Sequence, residues 1–180
     1  HAAMATSTSR IVVAAAGVEQ MTSQPTPRVT EILAGAGDMS GEGRAGATFP
    51  SLFAMIARRH MYEFGTTREM LASVAVKNHY NGARDPYAHF QNEVTVDDVL
   101  KSAPVCHPLH LLDCCPQTDG AAATILVSAE RAREFTDNPV FVAGFGVATD
   151  HPYLHEKDSF TEIKATRLAA QRAYAMAGVG

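Results

Sequence analysis

The stretch Leu111-Leu112-Asp113-Cys114-Cys115-Pro116-Gln117-Thr118-Asp119-Gly120-Ala121-Ala122-Ala123 decides how this chain is read. An Asp-Gly turn at 119–120 leads into small residues, which let a backbone run close to other elements or to a ligand. The apolar run from Ala121 to Val127 that follows predicts a buried strand, and a second run, Val140 to Phe145, predicts another. Ser128 is a helix cap between them, so the order is strand, helix, strand.

Upstream, Arg10 to Ala16 is a short β-branched run closed by Gly17 and reads as a further strand. From Gln24 to Gly46 proline and then glycine dominate, which predicts a long loop. Pro50 suits the first turn of a helix with Leu52, Phe53, Ile56 and His60 on one face, ending at Gly65. Thr66 and Glu69 have capping-box spacing for a second helix, with Met70, Leu71, Val74 and Ala75 on its apolar face before Asn78. Turns at Asn81-Gly82 and Asp85-Pro86 precede a short capped helix from Thr95 and Asp98 through Leu100. A last helix spans Thr161 to Ala177, with Ile163, Ala170, Tyr174 and Ala177 aligned, and ends in a glycine cap at Gly178. The order is α/β, and Phe49 to Leu100 forms a strandless helical insertion on that body.

Composition narrows the function classes. With 180 residues, 46% hydrophobic and 19% charged, the chain has the make-up of a folded globular protein. Its 15 basic and 19 acidic side chains give a net charge of -4, which offers no footprint for nucleic acid or an anionic membrane. No apolar run of spanning length or signal-peptide pattern occurs, and three cysteines, two of them adjacent, suit reduced thiols in the cytoplasm. The start at His1 and the stop at Gly178-Val179-Gly180 both read as cuts in a longer chain.

Gly35 to Gly46 lacks the Gly-Lys-Ser/Thr ending of a P-loop and reads as a loop. His151 and His155 have i, i+4 spacing, but Pro152 between them argues for an exposed loop over a metal pair. Cys106, His107, His110, Cys114 and Cys115 match no paired zinc spacing, so no metal is expected. Cys114 and Cys115 read as inert thiols unless a base or helix N-terminus lowers their pKa.

The 111–123 segment resembles the Asp-Gly-Ala-Ala-Ala signature of the thiolase superfamily. Phe49-Pro50, Ala57-Arg58-Arg59-His60-Met61, Gly65-Thr66-Thr67, Val76-Lys77-Asn78-His79 and Asp85-Pro86-Tyr87-Ala88 are similar to the sterol-carrier-protein type, which includes archaeal and bacterial acetyl-CoA acetyltransferases. Gly17 to Met21, Thr149 to Tyr153, Ala165 to Arg167 and Ala173-Tyr174 extend the likeness over nearly the whole chain, while Thr6 to Arg10 is a few residues short of the family's loop.

The resemblance implies a partial thiolase fold, layered α/β/α. Residues 1–23 would be the end of the N-terminal half, 24–110 the helical loop domain, and 111–180 the lead into the C-terminal half. It implies an acyltransferase moving acetyl or acyl groups between coenzyme A thioesters, with no cofactor beyond that substrate. A nucleophilic cysteine at a helix N-terminus, a histidine and a second cysteine carry that chemistry in the family. All would lie outside these residues, so no catalytic residue is carried over and the segment alone is expected to be inactive. Cys115 falls where many thiolases place a serine against the pantetheine arm, and Met61 and Phe64 are candidates for the apolar lining of its tunnel. Arg58, Arg59 and Lys77 could meet the phosphates. Acyl-CoA, a second copy of the parent chain and a small accessory subunit are the implied partners. A thiolase-like aldolase, a non-catalytic thiolase-like subunit and a stand-alone coenzyme A module are the alternatives.

Overall fold

A computed structural model describes residues 13–180, so the strand expected from Arg10 begins outside the described residues, as does the segment Thr6 to Arg10. The chain forms two compact units. One contains residues 13–21 with Asp119–Thr149 and Ala165–Gly180; the other contains Thr22–Thr118 and Asp150–Lys164.

In the first unit, β1 (Val13–Glu19) and β4 (Gly120–Leu126) form an antiparallel pair, with β2 (Pro104–Cys106) and β3 (Leu109–His110) lying in the other unit. Their register runs from Val13 opposite Leu126 to Glu19 opposite Gly120. Gly17 does not close β1 as expected; it pairs with Ala122, and ladder hydrogen bonds carry the strand two residues further. Asp119 fixes the mouth of the pair, its Oδ1 accepting from the Met21 amide at 2.7 Å.

Two further expectations change here. After Ser128 the chain makes only a 3-10 helix, Ala129–Glu134, and Val140 to Phe145 is not a strand. An apolar run becomes a strand only where another strand offers a ladder, and this run has none among the described residues. Its one glycine instead lies against α5 (Lys164–Ala177): a Cβ at Gly144 would fall 2.2 Å from the Ala173 carbonyl oxygen. The α5 helix starts three residues later than expected and ends at Gly178, whose φ of 69° is the left-handed conformation of a glycine cap. The stripe expected to be covered is open, with Ile163 and Tyr174 both exposed.

The second unit is helical, as the sequence predicts, with one small hairpin. Helix α1 (Thr26–Ala34) occupies part of the expected loop. Prolines are tolerated in a first turn, where amides have no intrahelical partner, and Val29 and Ala34 are buried beyond them. Helix α2 (Phe49–Phe64) starts on a reciprocal Thr48/Ser51 cap and stops at Gly65 with φ 67°. Helix α3 (Arg68–Gly82) is capped by Thr67, one residue after the expected Thr66, whose hydroxyl is bonded to the His60 ring at 2.7 Å. Helix α4 (Val96–Lys101) has the expected Thr95/Asp98 box.

The hairpin β2 (Pro104–Cys106) and β3 (Leu109–His110) follows, then a 3-10 turn at Leu111–Asp113. Ala72, Ala75 and Val99 form the buried centre where α3 meets α4, with Val76, Val94, Val96, Leu100 and Leu112 around it. Alanines let these two helices approach closely. Met70 and Val74, expected in the core, are exposed instead. No helix among the described residues is long and apolar enough to cross a membrane.

Candidate functional site

Helix α3 carries Leu71, Val74, Ala75, Asn78, His79 and Gly82 at spacings of three and four, one continuous stripe along its length. That stripe is one wall of a cavity of about 490 Å³. Residues 88–90, Leu109 and the run Leu112 to Pro116 form the rest. The Asn81-Gly82 step, expected as a turn, is the last part of α3. A Cβ on Gly82 would come within 3.0 Å of the Phe90 carbonyl oxygen, so the missing side chain lets the 88–90 segment lie across the helix end.

The polar groups of the cavity are few and positioned. His79 Nδ1 lies 2.9 Å from the carbonyl oxygen of Asn92, and its ring stacks on Phe90 with 14° between planes. His89 meets Phe90 edge-on and bonds Thr118 Oγ1 through Nδ1 at 2.8 Å. Asp113 accepts from the His110 amide at 2.8 Å and so closes the 3-10 turn that presents the two cysteines.

Cys115 is exposed and lines this cavity beside the half-buried Cys114. Burial, with the Asp113 carboxylate and the neighbouring Cys115 and Cys106 thiols, pushes the Cys114 thiol above its usual range. Cys114 therefore rests protonated and has none of the activation a nucleophile requires.

The other expected contacts lie elsewhere. Met61 is half-buried and Phe64 exposed in the last turn of α2, Phe64 resting on the His60 ring at 4.6 Å. Neither lines the cavity that Cys115 opens on. Arg58 and Lys77 are exposed, while Arg59 is held by Glu63 at 2.6 Å and lies over the Tyr62 ring. The glycine-rich loop folds around a carboxylate: Asp38 Oδ1 accepts from the Ser40 amide and hydroxyl, and these bonds hold its pKa below the usual value. Such a centre repels a phosphate.

His151 and His155 are exposed and do not face a common ligand. His151 pairs with Glu156 at 3.1 Å and His155 with Glu42 at 3.2 Å. No group of three or more histidine, cysteine or acidic side chains among the described residues is arranged to hold a metal.

Of the expected site residues Cys115 lines this cavity, and His79, His89 and the α3 stripe line it without having been singled out in the sequence. The signal was present at positions 71, 74, 75, 78, 79 and 82, whose helical spacing puts them on one face.

The family described as thiolase, N-terminal domain, matches residues 2–130. Acetyl-CoA acetyltransferase of Methanothermobacter thermautotrophicus is 51% identical over 166 residues, covering 92% of this chain and 43% of the relative. Sterol carrier protein 2 of Gallus gallus is 36% identical over 135 residues, covering 72% of this chain and 25% of the relative. Among solved structures, the Ltp2-ChsH2(DUF35) aldolase superimposes with a TM-score of 0.73 at 27% identity, over 94% of this chain and 45% of that one. The chain spans less than half the length of the curated relatives it matches.

Proposed function

Because the chain belongs to the thiolase family, we propose that it carries the coenzyme A side of an enzyme that transfers acetyl or acyl groups between coenzyme A thioesters. The observation that carries this reading is the position of Cys115, exposed on the wall of a largely apolar cavity. A pantetheine arm is a long, thin chain with two amides, and a groove with apolar walls and a few fixed polar groups suits it. The Cys115 thiol, a weak donor, would touch the arm where a hydroxyl would bond more strongly. Met61 and Phe64 would meet a second part of the ligand, and Arg58 and Lys77 are free to meet its phosphates.

In this reading the nucleophilic cysteine and the acid-base residues belong to polypeptide outside these residues, and no bound cofactor is needed beyond the thioester. The names of the relatives support it: acetyl-CoA acetyltransferases from two archaea are 51% and 43% identical to the chain. The parent would be cytoplasmic and would associate with copies of itself. An aldolase that works beside a small partner is the second reading, favoured by the superposition on the Ltp2-ChsH2(DUF35) aldolase. A stand-alone coenzyme A module is a third.

The test is enzymatic. The 180-residue chain is expected to show no thiolysis of acetoacetyl-CoA above the uncatalysed rate. The same chain extended by its own flanking coding sequence should show it. Turnover by the 180 residues alone would refute the division of labour; retro-aldol cleavage without thiolysis in the extended protein would favour the aldolase.

A further inference from the structure

His79 stands on the cavity wall four residues along α3 from Ala75, one of the three buried centre residues of this unit. A carbonyl oxygen only accepts hydrogen bonds, so the 2.9 Å contact with Asn92 requires the proton on Nδ1. The neutral ring then has its lone pair on Nε2, and the bond at Nδ1 fixes which tautomer is present. Among the described residues Nε2 has no hydrogen-bond partner. The Phe90 ring lies nearly parallel to the imidazole, with 6.3 Å between ring centroids. His79 lines the cavity, and its bond at Nδ1 leaves Nε2 as the acceptor of the ring before any ligand arrives. His89 does not carry the same argument, because its partner, the Thr118 hydroxyl, can donate or accept.

We propose that His79 is a binding residue of this cavity, its Nε2 accepting a hydrogen bond from an amide N–H of the pantetheine arm. The assignment rests on the reading that the cavity takes that arm, and it adds the polar contact that orients it. An arm lying between apolar walls must place its amide protons somewhere, and an amide left unpaired there weakens binding.

Two substitutions separate ligand binding from mere anchoring. In His79→Asn the short amide can still donate to the Asn92 carbonyl, but nothing occupies the place of Nε2. In His79→Gln the longer amide puts an acceptor near Nε2 and gives up the anchor. Calorimetric titration with coenzyme A should show binding to His79→Asn weakened about 3- to 10-fold, the range for one neutral hydrogen bond, with His79→Gln near wild type. Adenosine 3′,5′-bisphosphate, which has no pantetheine, should bind all three proteins alike. A purely structural His79 gives the opposite order, with Asn tolerated and Gln weakened for both ligands and with a lower melting temperature. That order, or an unchanged His79→Asn, overturns the proposal and leaves the coenzyme A reading standing. A wild-type chain that binds adenosine 3′,5′-bisphosphate and coenzyme A equally, or neither, overturns both.

Discussion

Replacing Gly146 with valine should collapse the packing of α5, lowering stability by about 3 kcal/mol or more. A Cβ at this position would lie 1.9 Å from the Ala169 carbonyl oxygen and 2.8 Å from its carbonyl carbon, inside the helix backbone. A side chain in the way can rotate aside, but a helix backbone cannot. Gly144, two residues earlier, faces the same constraint at Ala173, so the segment lies along the helix at both glycines. Arg172 adds a bond from the helix to the Val147 carbonyl on this segment. The expected readout is a melting temperature lower by roughly 6–12 °C, from ~2–4 °C per kcal/mol for a chain of this size, with faster hydrogen exchange in α5. A variant that melts within about 1 °C of wild type would show that the segment does not press on α5 in solution.

The second large effect belongs to the other unit. Val99 has no exposed surface and touches the alanines of α3, so Val99→Asp puts a carboxylate where no partner exists in the buried cluster. An unpaired buried charge costs about 3–5 kcal/mol, and the lost valine burial adds about 1.5 kcal/mol or more. The sum is comparable to the whole stability of an ordinary domain. Exchange protection in α3 and α4 should disappear at neutral pH. Burial raises the pKa of the introduced carboxyl, so its folded-state penalty is greatest above that pKa and shrinks as pH falls through it. Circular dichroism melts at pH 7 and pH 5 test this, and equal destabilisation at both would contradict it.

These two positions show what the sequence could and could not disclose. Val99 lies in a helix announced by its own cap, Thr95 with Asp98, and caps are local chemistry between residues three apart. The same holds for α2, bounded by Thr48 and Gly65. Gly146 is different. Nothing near it in sequence says that a helix beginning eighteen residues later will pack on its backbone, so Val140 to Phe145 was read as a strand. The prolines of α1 misled for another reason: Pro25 and Pro27 disfavour a helix interior but fit a helix start.

The candidate site divides in the same way. Cys115 is expected from the Asp-Gly-Ala-Ala-Ala resemblance, and it lines a cavity. Met61 and Phe64 came from the same resemblance and lie at the end of α2, away from that cavity. His79 was quoted within Val76-Lys77-Asn78-His79 without a role. Its meaning depends on a carbonyl thirteen residues away, which no local pattern displays.

Coenzyme A titrated into wild type and Cys115→Trp tests the central claim most directly. The indole would fill the part of the cavity that the Cys115 thiol lines. The account predicts saturable one-to-one binding to wild type, weakened about 100-fold in the variant, or about 2.7 kcal/mol, with the melting temperature unchanged. Equal affinity of the two proteins, or no binding to a folded wild-type chain, would contradict it.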